Sequence, residues 1–155
     1  MELDLNVVSF TEAIIRTGLA LLFGLVIGIE RDTKDKPIDF RAYMIVALTT
    51  CIIAIMGQEL YFDYSSAKGF VSLDLGKIIS GVLTGIGFLG AGAIIKVESN
   101  QIKGSATGAS IWASGGMGLC VGFGMYTLAG IAFVSVIAIL VIGGYLGSKV
   151  QENNK

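Results

Sequence analysis

The sequence predicts an all-α membrane protein, a glycine-rich bundle of five transmembrane helices. Of its 155 residues 54% are hydrophobic and 15% are charged, a composition that soluble domains do not have. It also contains 22 glycines, and many lie inside apolar runs. Glycine weakens a helix in water, but in lipid small residues allow helix axes to approach closely. Together these observations favour helices that pack tightly within a bilayer.

Each predicted helix is an apolar stretch of about 20 residues, the length that crosses a bilayer. The first stretch has polar residues at its start and no basic region before its apolar part, so we expect it to stay in the mature protein rather than to be a signal peptide. The five predicted spans are Thr11–Glu30, Ala42–Gln58, Leu75–Lys96, Ser105–Tyr126 and Thr127–Ser148. Residues 1–148 thus form a transmembrane domain, and 149–155 form a short tail.

The distribution of basic residues in the short loops predicts the orientation. Loops rich in Lys and Arg stay on the cytoplasmic side. The loop of residues 31–41 has four such residues, whereas the loop of residues 59–74 has only Lys68. We therefore expect the N-terminus outside and the tail in the cytoplasm. The basic residues predicted to be cytoplasmic are Arg31, Lys34, Lys36, Arg41, Lys96, Lys103, Lys149 and Lys155.

Several glycines recur four residues apart and predict close helix packing, within one chain or across a homodimer. Such glycines can also mark helices opened for a ligand, and this alternative stays open. The spacing of Gly85, Gly87 and Gly90 matches a dinucleotide-binding turn, but no strand precedes it, so we expect no nucleotide there. The glycines predicted to pack helices are Gly81, Gly85, Gly87, Gly90, Gly92, Gly118 and Gly122.

Polar residues within the spans are the candidate functional groups, because each is costly in hydrocarbon. Arg16 lies about 21 Å along its helix from Glu30. It is either an interfacial anchor paired with Glu12 or a residue that binds a substrate. Small polar residues also form two stripes that can face each other, for hydrogen bonding or along a solute path. The stripes are Lys77, Ser80, Thr84, Gly87 and Ala91 on the third span, and Thr107, Ser110, Ser114 and Gly118 on the fourth.

Trp112 lies roughly opposite the fourth-span stripe, where it is either an interfacial anchor or a plug of the bundle. Glu30 and Arg41 flank one short loop, so they can meet across adjacent helix ends, either as a structural ion pair or as a functional site. The carboxylates of that loop are balanced by its basic residues, and a solvated loop is favoured over a magnesium site.

Several classes of function are excluded or disfavoured. The chain has no histidine, which excludes histidine-based metal sites and catalytic triads. Cys51 and Cys120 lie in apolar runs without ligand spacing. A net charge of −1 argues against nucleic acid. No nucleophile and base pattern is evident, so we expect neither an enzyme nor a cofactor.

The first span carries a spaced pattern of charged and small residues, Arg16, Ala20, Gly24, Gly28, Glu30 and Arg31, and Arg41 precedes the second span. This pattern resembles the signature of the MgtC/SapB family of bacterial membrane proteins. Ala42 and Tyr43 stand where the family usually has threonine and histidine. The segment GIGFLGAG at 85–92 is similar to the family's most specific motif, and Thr107, Ala109, Ser110, Trp112, Ala113, Ser114 and Gly118 continue it.

The resemblance implies a multi-pass protein of the bacterial inner membrane, involved in magnesium homeostasis and growth at low magnesium, without the C-terminal cytoplasmic domain of longer members. Some relatives are linked to inhibition of the F-type ATP synthase. The leading hypothesis is a non-enzymatic protein that acts through other membrane proteins and forms a homodimer. The alternative is a small channel or transporter in which Arg16, Glu30 and Arg41 bind a charged solute.

Overall fold

The computed structural model describes residues 5–33, 38–66, 73–96 and 102–152, and within these it contains five helices and one short hairpin. The helices are α1 (Phe10–Asp32), α2 (Phe40–Ser66), α3 (Leu75–Gly92), α4 (Ser105–Gly122) and α5 (Tyr126–Glu152). The strands β1 (Ile95–Lys96) and β2 (Ile102–Lys103) pair antiparallel, with Ile95 opposite Lys103. The all-helical architecture is as predicted.

Local sequence explains where the helices begin. Ser9 caps α1, because its hydroxyl accepts a hydrogen bond from the backbone N–H of Glu12 at 3.2 Å. Asp74 caps α3 and accepts from the N–H groups of Gly76 and Lys77. Gly104 precedes α4 with φ of 91°, a left-handed conformation that L side chains rarely adopt.

Four predicted helix ends are wrong. The third span was expected to reach Lys96, but α3 ends at Gly92 and the chain turns into β1. The fourth was expected to reach Tyr126, but α4 ends at Gly122, and Gly124 adopts φ of 76° in the turn before α5. Helix α2 continues eight residues beyond Gln58, to Ser66, and α5 continues through 149–152. The prediction extended the third and fourth spans through the turns that follow them, because the apolar residues continue there. Gly124 marks the second of these turns.

Four of the described helices are long and apolar enough to cross a membrane: α1, residues 40–64 of α2, α3, and residues 126–146 of α5. Helix α4, predicted as a span, is not among them. Its glycine, serine and threonine content makes it less apolar, and it instead lies at the centre of the bundle, in contact with each of the other four helices. The basic residues Lys34, Lys36, Lys68 and Lys155, used to predict the orientation, lie outside the described residues.

The core lies where α1, α2 and α4 meet. Ala20, Ile27, Tyr43, Ala47 and Val121 are fully buried there. Helix α5 joins this core at its α1 side through Phe23 and Phe133, whose rings stack with centroids 4.4 Å apart. Most residues of α3 and α5 are exposed in the isolated chain, as expected for helices that face lipid. The three-helix core therefore positions the buried polar groups described next.

Candidate functional site

Arg16 is buried at one end of the bundle and joins three helices. Its guanidinium pairs with Glu12 on α1, donates a 2.6 Å hydrogen bond to the carbonyl of Gly122, and contacts the hydroxyl of Tyr126 at 3.3 Å. Gln58 on α2 also donates to the Gly122 carbonyl, at 2.7 Å. We call these five residues the Arg16 cluster. Because Gly122 ends α4, its carbonyl lacks a helical donor, and Arg16 and Gln58 supply one each.

The Arg16 cluster satisfies the donors of the buried guanidinium with acceptors of the chain itself. One interpretation of Arg16 was an interfacial anchor paired with Glu12, and the structure contains that ion pair. A role of Arg16 in binding a substrate stays a prediction, since every contact described above is internal to the protein.

Glu30 and Arg41, which their positions allow to meet across adjacent helix ends, do not do so in the structure. The Arg41 side chain is 73% exposed and is bound by Asp39, two residues earlier, with Nη2 and Oδ2 2.8 Å apart. The carboxylate of Glu30 instead lies 3.6 Å from Nη1 of Arg31. Asp39 and Arg41 are two residues apart in the chain. Their contact therefore costs less conformational entropy than a contact between Glu30 and Arg41, which would have to close the loop.

The burial of Arg31 was not predicted from the sequence, which placed it among the cytoplasmic basic residues. It is only 5% exposed, although it lies at the last turn of α1. A signal was present: Arg31 follows Ile27 by four residues and Gly28 by three, so it shares their buried helix face. A charge on that face is an unusual position, because burial of a cation requires a partner.

Arg31 meets two other buried polar side chains from different helices. The hydroxyl of Tyr43 on α2 interacts with the side chains of Arg31 and of Thr107 on α4. Tyr43 and Thr107 are both fully buried. We call Arg31, Tyr43 and Thr107 the Arg31 cluster. It brings together Thr107, which the sequence predicts as a candidate functional residue, and Arg31 and Tyr43, which it names only in the family resemblance.

The other polar candidates of α4 have structural contacts. The Ser110 hydroxyl donates to the carbonyl of Ala106 in its own helix at 2.6 Å. The Ser114 hydroxyl donates to the carbonyl of Tyr43 on α2 at 2.9 Å. Trp112 is 48% exposed, so it points away from the bundle interior rather than plugging it.

The two polar stripes, which their spacing allows to face each other, do not do so in the structure. The α4 stripe is buried and packs mainly on α2, as the Ser114 contact shows. On the α3 stripe, Lys77, Ser80 and Thr84 are exposed, and the Thr84 hydroxyl donates to the carbonyl of Ser80. The two stripes therefore belong to different surfaces, and the described residues enclose no polar path between them.

The glycines divide into two groups by what an added Cβ would meet. At Gly24 it would lie 2.7 Å from the backbone of α2, at Gly90 2.9 Å from the carbonyl of Gly108, and at Gly122 2.5 Å from the carbonyl of Cys51. Gly118 is equally closely packed, against Ala47 and Thr50. These glycines allow backbone contact between helices.

The remaining predicted packing glycines all lie on α3 and have open space beside them. At Gly81, Gly85, Gly87 and Gly92, an added Cβ would meet no atom of the described residues within 4 Å. Ser80, Gly81, Thr84 and Gly85 together form an exposed surface that we call the α3 face. Gly81 and Gly85 also line a groove of about 380 Å³ between α3 and α2.

No group of three or more His, Cys, Asp or Glu residues that can hold a metal occurs among the described residues. Cys51 and Cys120 are free thiols. The described residues therefore offer two buried cation-centred clusters and one open helix face.

Comparison with known proteins identifies a family. The model of the MgtC family matches residues 18–149. Relatives include an uncharacterized protein of Haemophilus influenzae, 38% identical over 80% of this chain and 50% of the relative, and Protein SapB of Bacillus subtilis, 31% identical over 84% and 54%. Another relative, named Putative magnesium transporter YhiD in Escherichia coli, is 34% identical over 84% of this chain and 59% of its own. The chain spans about half the length of these relatives. No solved structure matches it.

Proposed function

The chain belongs to the MgtC family, and from that premise we propose that it is a non-enzymatic protein of magnesium homeostasis that acts by binding other membrane proteins. The family ties this multi-pass membrane protein to magnesium-related function. The observation that carries the proposed mode of action is the α3 face. Its two glycines and two hydroxyl residues resemble a helix–helix interface, yet all four are exposed, and no described residue lies within 4 Å of a Cβ added at either glycine.

The α3 face suits a protein partner better than lipid. Glycine in a helix that only faces lipid contributes no packing, whereas small residues allow a second helix to approach closely. In α1 and α4, glycines such as Gly24 and Gly122 already seat a neighbouring backbone. The same residue type left open on α3 is therefore the surface we assign to partners. Those partners are a second copy of the chain and another membrane protein, such as the F-type ATP synthase that the resemblance implies.

We place the protein in the bacterial inner membrane with α4 as a fifth span, the N-terminus outside and the C-terminus in the cytoplasm. Helix α4 is less apolar than the others. However, its contacts with all four other helices keep Thr107, Ser110 and Ser114 buried, which supports a central span.

Quantitative co-purification from magnesium-starved cells tests the proposal. Gly85→Leu fills open space on the α3 face, and Gly130→Leu is the matched control, because a Cβ at Gly130 on α5 also meets nothing within 4 Å. We expect membrane partners with the wild type and the control, and their loss with Gly85→Leu. Equal recovery of partners by all three proteins, or no specific partner with the wild type, would contradict the proposal.

A second candidate function is transport, which the printed name of the Escherichia coli relative favours. In that case the exposed hydroxyls of Ser80 and Thr84 would line a path completed by a second copy. Magnesium and potassium flux into liposomes containing the purified protein separates the two functions. Selective flux that is lost in folded Arg16→Ala and Glu30→Gln variants would establish transport, and absence of flux from inserted wild-type protein would favour the binding function.

A further inference from the structure

An exposed aromatic side chain and an apolar groove lie side by side on α3. The side chain of Phe88 is 81% exposed. The groove, of about 380 Å³, lies between α3 and α2, and its α3 wall includes Val82 and Ile86. Gly81 and Gly85 of the α3 face form the edge that separates the groove from Phe88.

Helical geometry places Phe88 and the groove on opposite sides of the two glycines. Because a helix turns by about 100° per residue, Phe88 lies about 40° to one side of the line through Gly81 and Gly85. On the other side, Leu89 and Val82 of the groove lie about 60° and about 80° from that line. The line itself is open, since a Cβ added at either glycine meets no described atom within 4 Å. A helix that approaches along it therefore has Phe88 on one side and the groove on the other.

A second copy of the chain presents the matching surface in reverse. Copies inserted in the same orientation are related by a two-fold axis along the membrane normal, so their α3 helices run parallel at equal depth. This rotation brings the Phe88 side of each copy to the groove side of the other. Phe88 also lies at the depth of the groove, whose α3 residues run from Gly81 to Leu89. A cavity of about 150 Å³ holds a benzene molecule, so the groove has room for a phenyl ring.

The charges at the start of α3 obey the same symmetry. Asp74 and Lys77 are exposed, and neither forms an ion pair with a described residue. Lys77 lies on the Phe88 side of the glycine line, whereas Asp74 lies on the line itself. Across the two-fold axis, Lys77 of each copy therefore faces Asp74 of the other, and two pairs of opposite charges meet.

We propose that the chain forms a parallel homodimer through α3, in which Phe88 of each copy fills the α2–α3 groove of the other and Lys77 pairs with Asp74 across the interface. The inference rests on the proposed function and names the second copy as the occupant of the α3 face, so that another membrane protein binds the dimer. The glycines let the two backbones approach. Thr49 of α2 is exposed in the groove and lies beside the inserted ring.

Energy transfer between two differently labelled preparations of the full chain in liposomes, diluted stepwise with lipid, measures dimer dissociation. We expect the wild type to self-associate. Phe88→Ala removes the ring and Thr49→Phe fills the groove, and each should weaken the dimer by about tenfold or more. Because both changes act on one contact, the double variant should be no weaker than Thr49→Phe alone. Ile131→Ala on α5 is the matched control, since Ile131 is 62% exposed, and it should associate like the wild type.

These variants change exposed residues, so the fold is expected to persist in each of them. No self-association of the wild type, or an equal effect of Ile131→Ala and Phe88→Ala, would overturn the dimer. Additive losses in the double variant would overturn the insertion of Phe88 into the groove, because the two residues would then act at separate places.

The charge pair is tested in the same assay. Lys77→Glu places a carboxylate against Asp74 of the other copy and should weaken the dimer, whereas Asp74→Asn added to it should restore part of the loss. Asparagine keeps the helix cap of α3. Lys103→Glu, at an exposed position on β2, is the matched control and should have no effect. Equal effects of Lys77→Glu and Lys103→Glu would contradict the pairing.

The dimer and the proposed function can fail separately. Membrane partners that co-purify from cells and are lost with Gly85→Leu but not with Phe88→Ala, together with no self-association of the purified chain, would overturn the dimer and support the proposed function. Self-association that Phe88→Ala weakens, with no other membrane protein recovered from cells, would support the dimer and contradict the proposed function.

Discussion

The guanidinium of Arg16 on α1 donates a 2.6 Å hydrogen bond to the backbone carbonyl of Gly122, the last residue of α4. The two residues are 106 positions apart in the chain, and their bond ties the first helix to the point where the fourth helix ends. A buried Arg in a membrane helix is stable only when its donors are engaged, and a helix end is stable only when its carbonyls accept. The bond therefore gives the buried guanidinium an acceptor and gives the buried carbonyl of Gly122 a donor.

Replacement of Arg16 by Gln should destabilise the fold. The variant loses the charge-assisted bond to Gly122 and the contact with Tyr126, so we expect the free energy of unfolding to fall by about 2 kcal/mol. Arg41→Gln is the control, because the Arg41 side chain is 73% exposed and pairs with Asp39 at the surface. Unfolding of both variants by detergent titration, at equal lipid content, gives the comparison. Equal stabilities would show that Arg16 has no structural role.

Replacement of Gly24 by Ala should separate α1 from α2. An added Cβ would lie 2.7 Å from the Tyr43 carbonyl, and backbone cannot yield as a side chain does. We expect a loss of about 2 kcal/mol in unfolding free energy. Gly18→Ala is the matched control on the same helix, since a Cβ there meets nothing within 4 Å. It should be neutral or stabilising by up to about 1 kcal/mol. A destabilised Gly18→Ala beside an unchanged Gly24→Ala would contradict the packing described.

Glu59 anchors the segment before α1. Its carboxylate accepts hydrogen bonds from the backbone N–H groups of Asn6, Val7 and Val8, at 2.7 to 3.1 Å. In Glu59→Ala these amides lose their acceptor, so we expect their hydrogen exchange to accelerate by about tenfold or more. Asp63→Ala removes a carboxylate from an exposed position on the same helix and should leave the rates unchanged. Unchanged exchange in Glu59→Ala would mean that other groups hold the segment.

The pKa of Asp39 should be low for a surface carboxyl. The Arg41 side chain and backbone N–H lower it from 3.8 to about 2. A carboxyl with a depressed folded-state pKa stabilises the fold above its unfolded pKa, so the contribution is complete above about pH 4 and is lost as the pH falls through 2. Carboxyl ¹³C chemical shifts measure the titration. In Arg41→Gln the midpoint should move toward 3.8, and a midpoint near 3.8 in the wild type would contradict the contact.

The sequence predicts the parts of the fold that follow from helical periodicity and apolar length. Helix α1 begins and ends within two residues of its predicted bounds, and Arg16 with Glu12 one turn earlier is a local pair that spacing alone reveals. The end of α4 was not predicted, because Phe123 and Met125 continue the apolar run. Gly124 was the available signal, since its φ of 76° makes the turn possible there.

Long-range relationships were predicted less well, for a physical reason. Which partner a polar residue meets depends on how each helix is rotated about its axis. When a helix is apolar on both faces, its hydrophobic pattern defines that rotation only roughly. Arg41 thus binds the adjacent Asp39 rather than Glu30, and Arg31 turns inward to Tyr43. Likewise, the glycines of α3 and α4 look alike in sequence, but Gly118 meets α2 whereas Gly85 meets open space.

Photo-cross-linking in native membranes tests most directly whether the α3 face binds partners. A photoreactive amino acid is placed at Gly81 or Gly85, and at Gly130 or Gly143 on α5 as controls, all positions where a side chain meets no described atom within 4 Å. In magnesium-starved cells we predict discrete protein adducts from the α3 positions and lipid adducts alone from the α5 positions, with adduct mass distinguishing a second copy from another protein. Adducts of equal yield from both helices, or none from α3, would contradict the account.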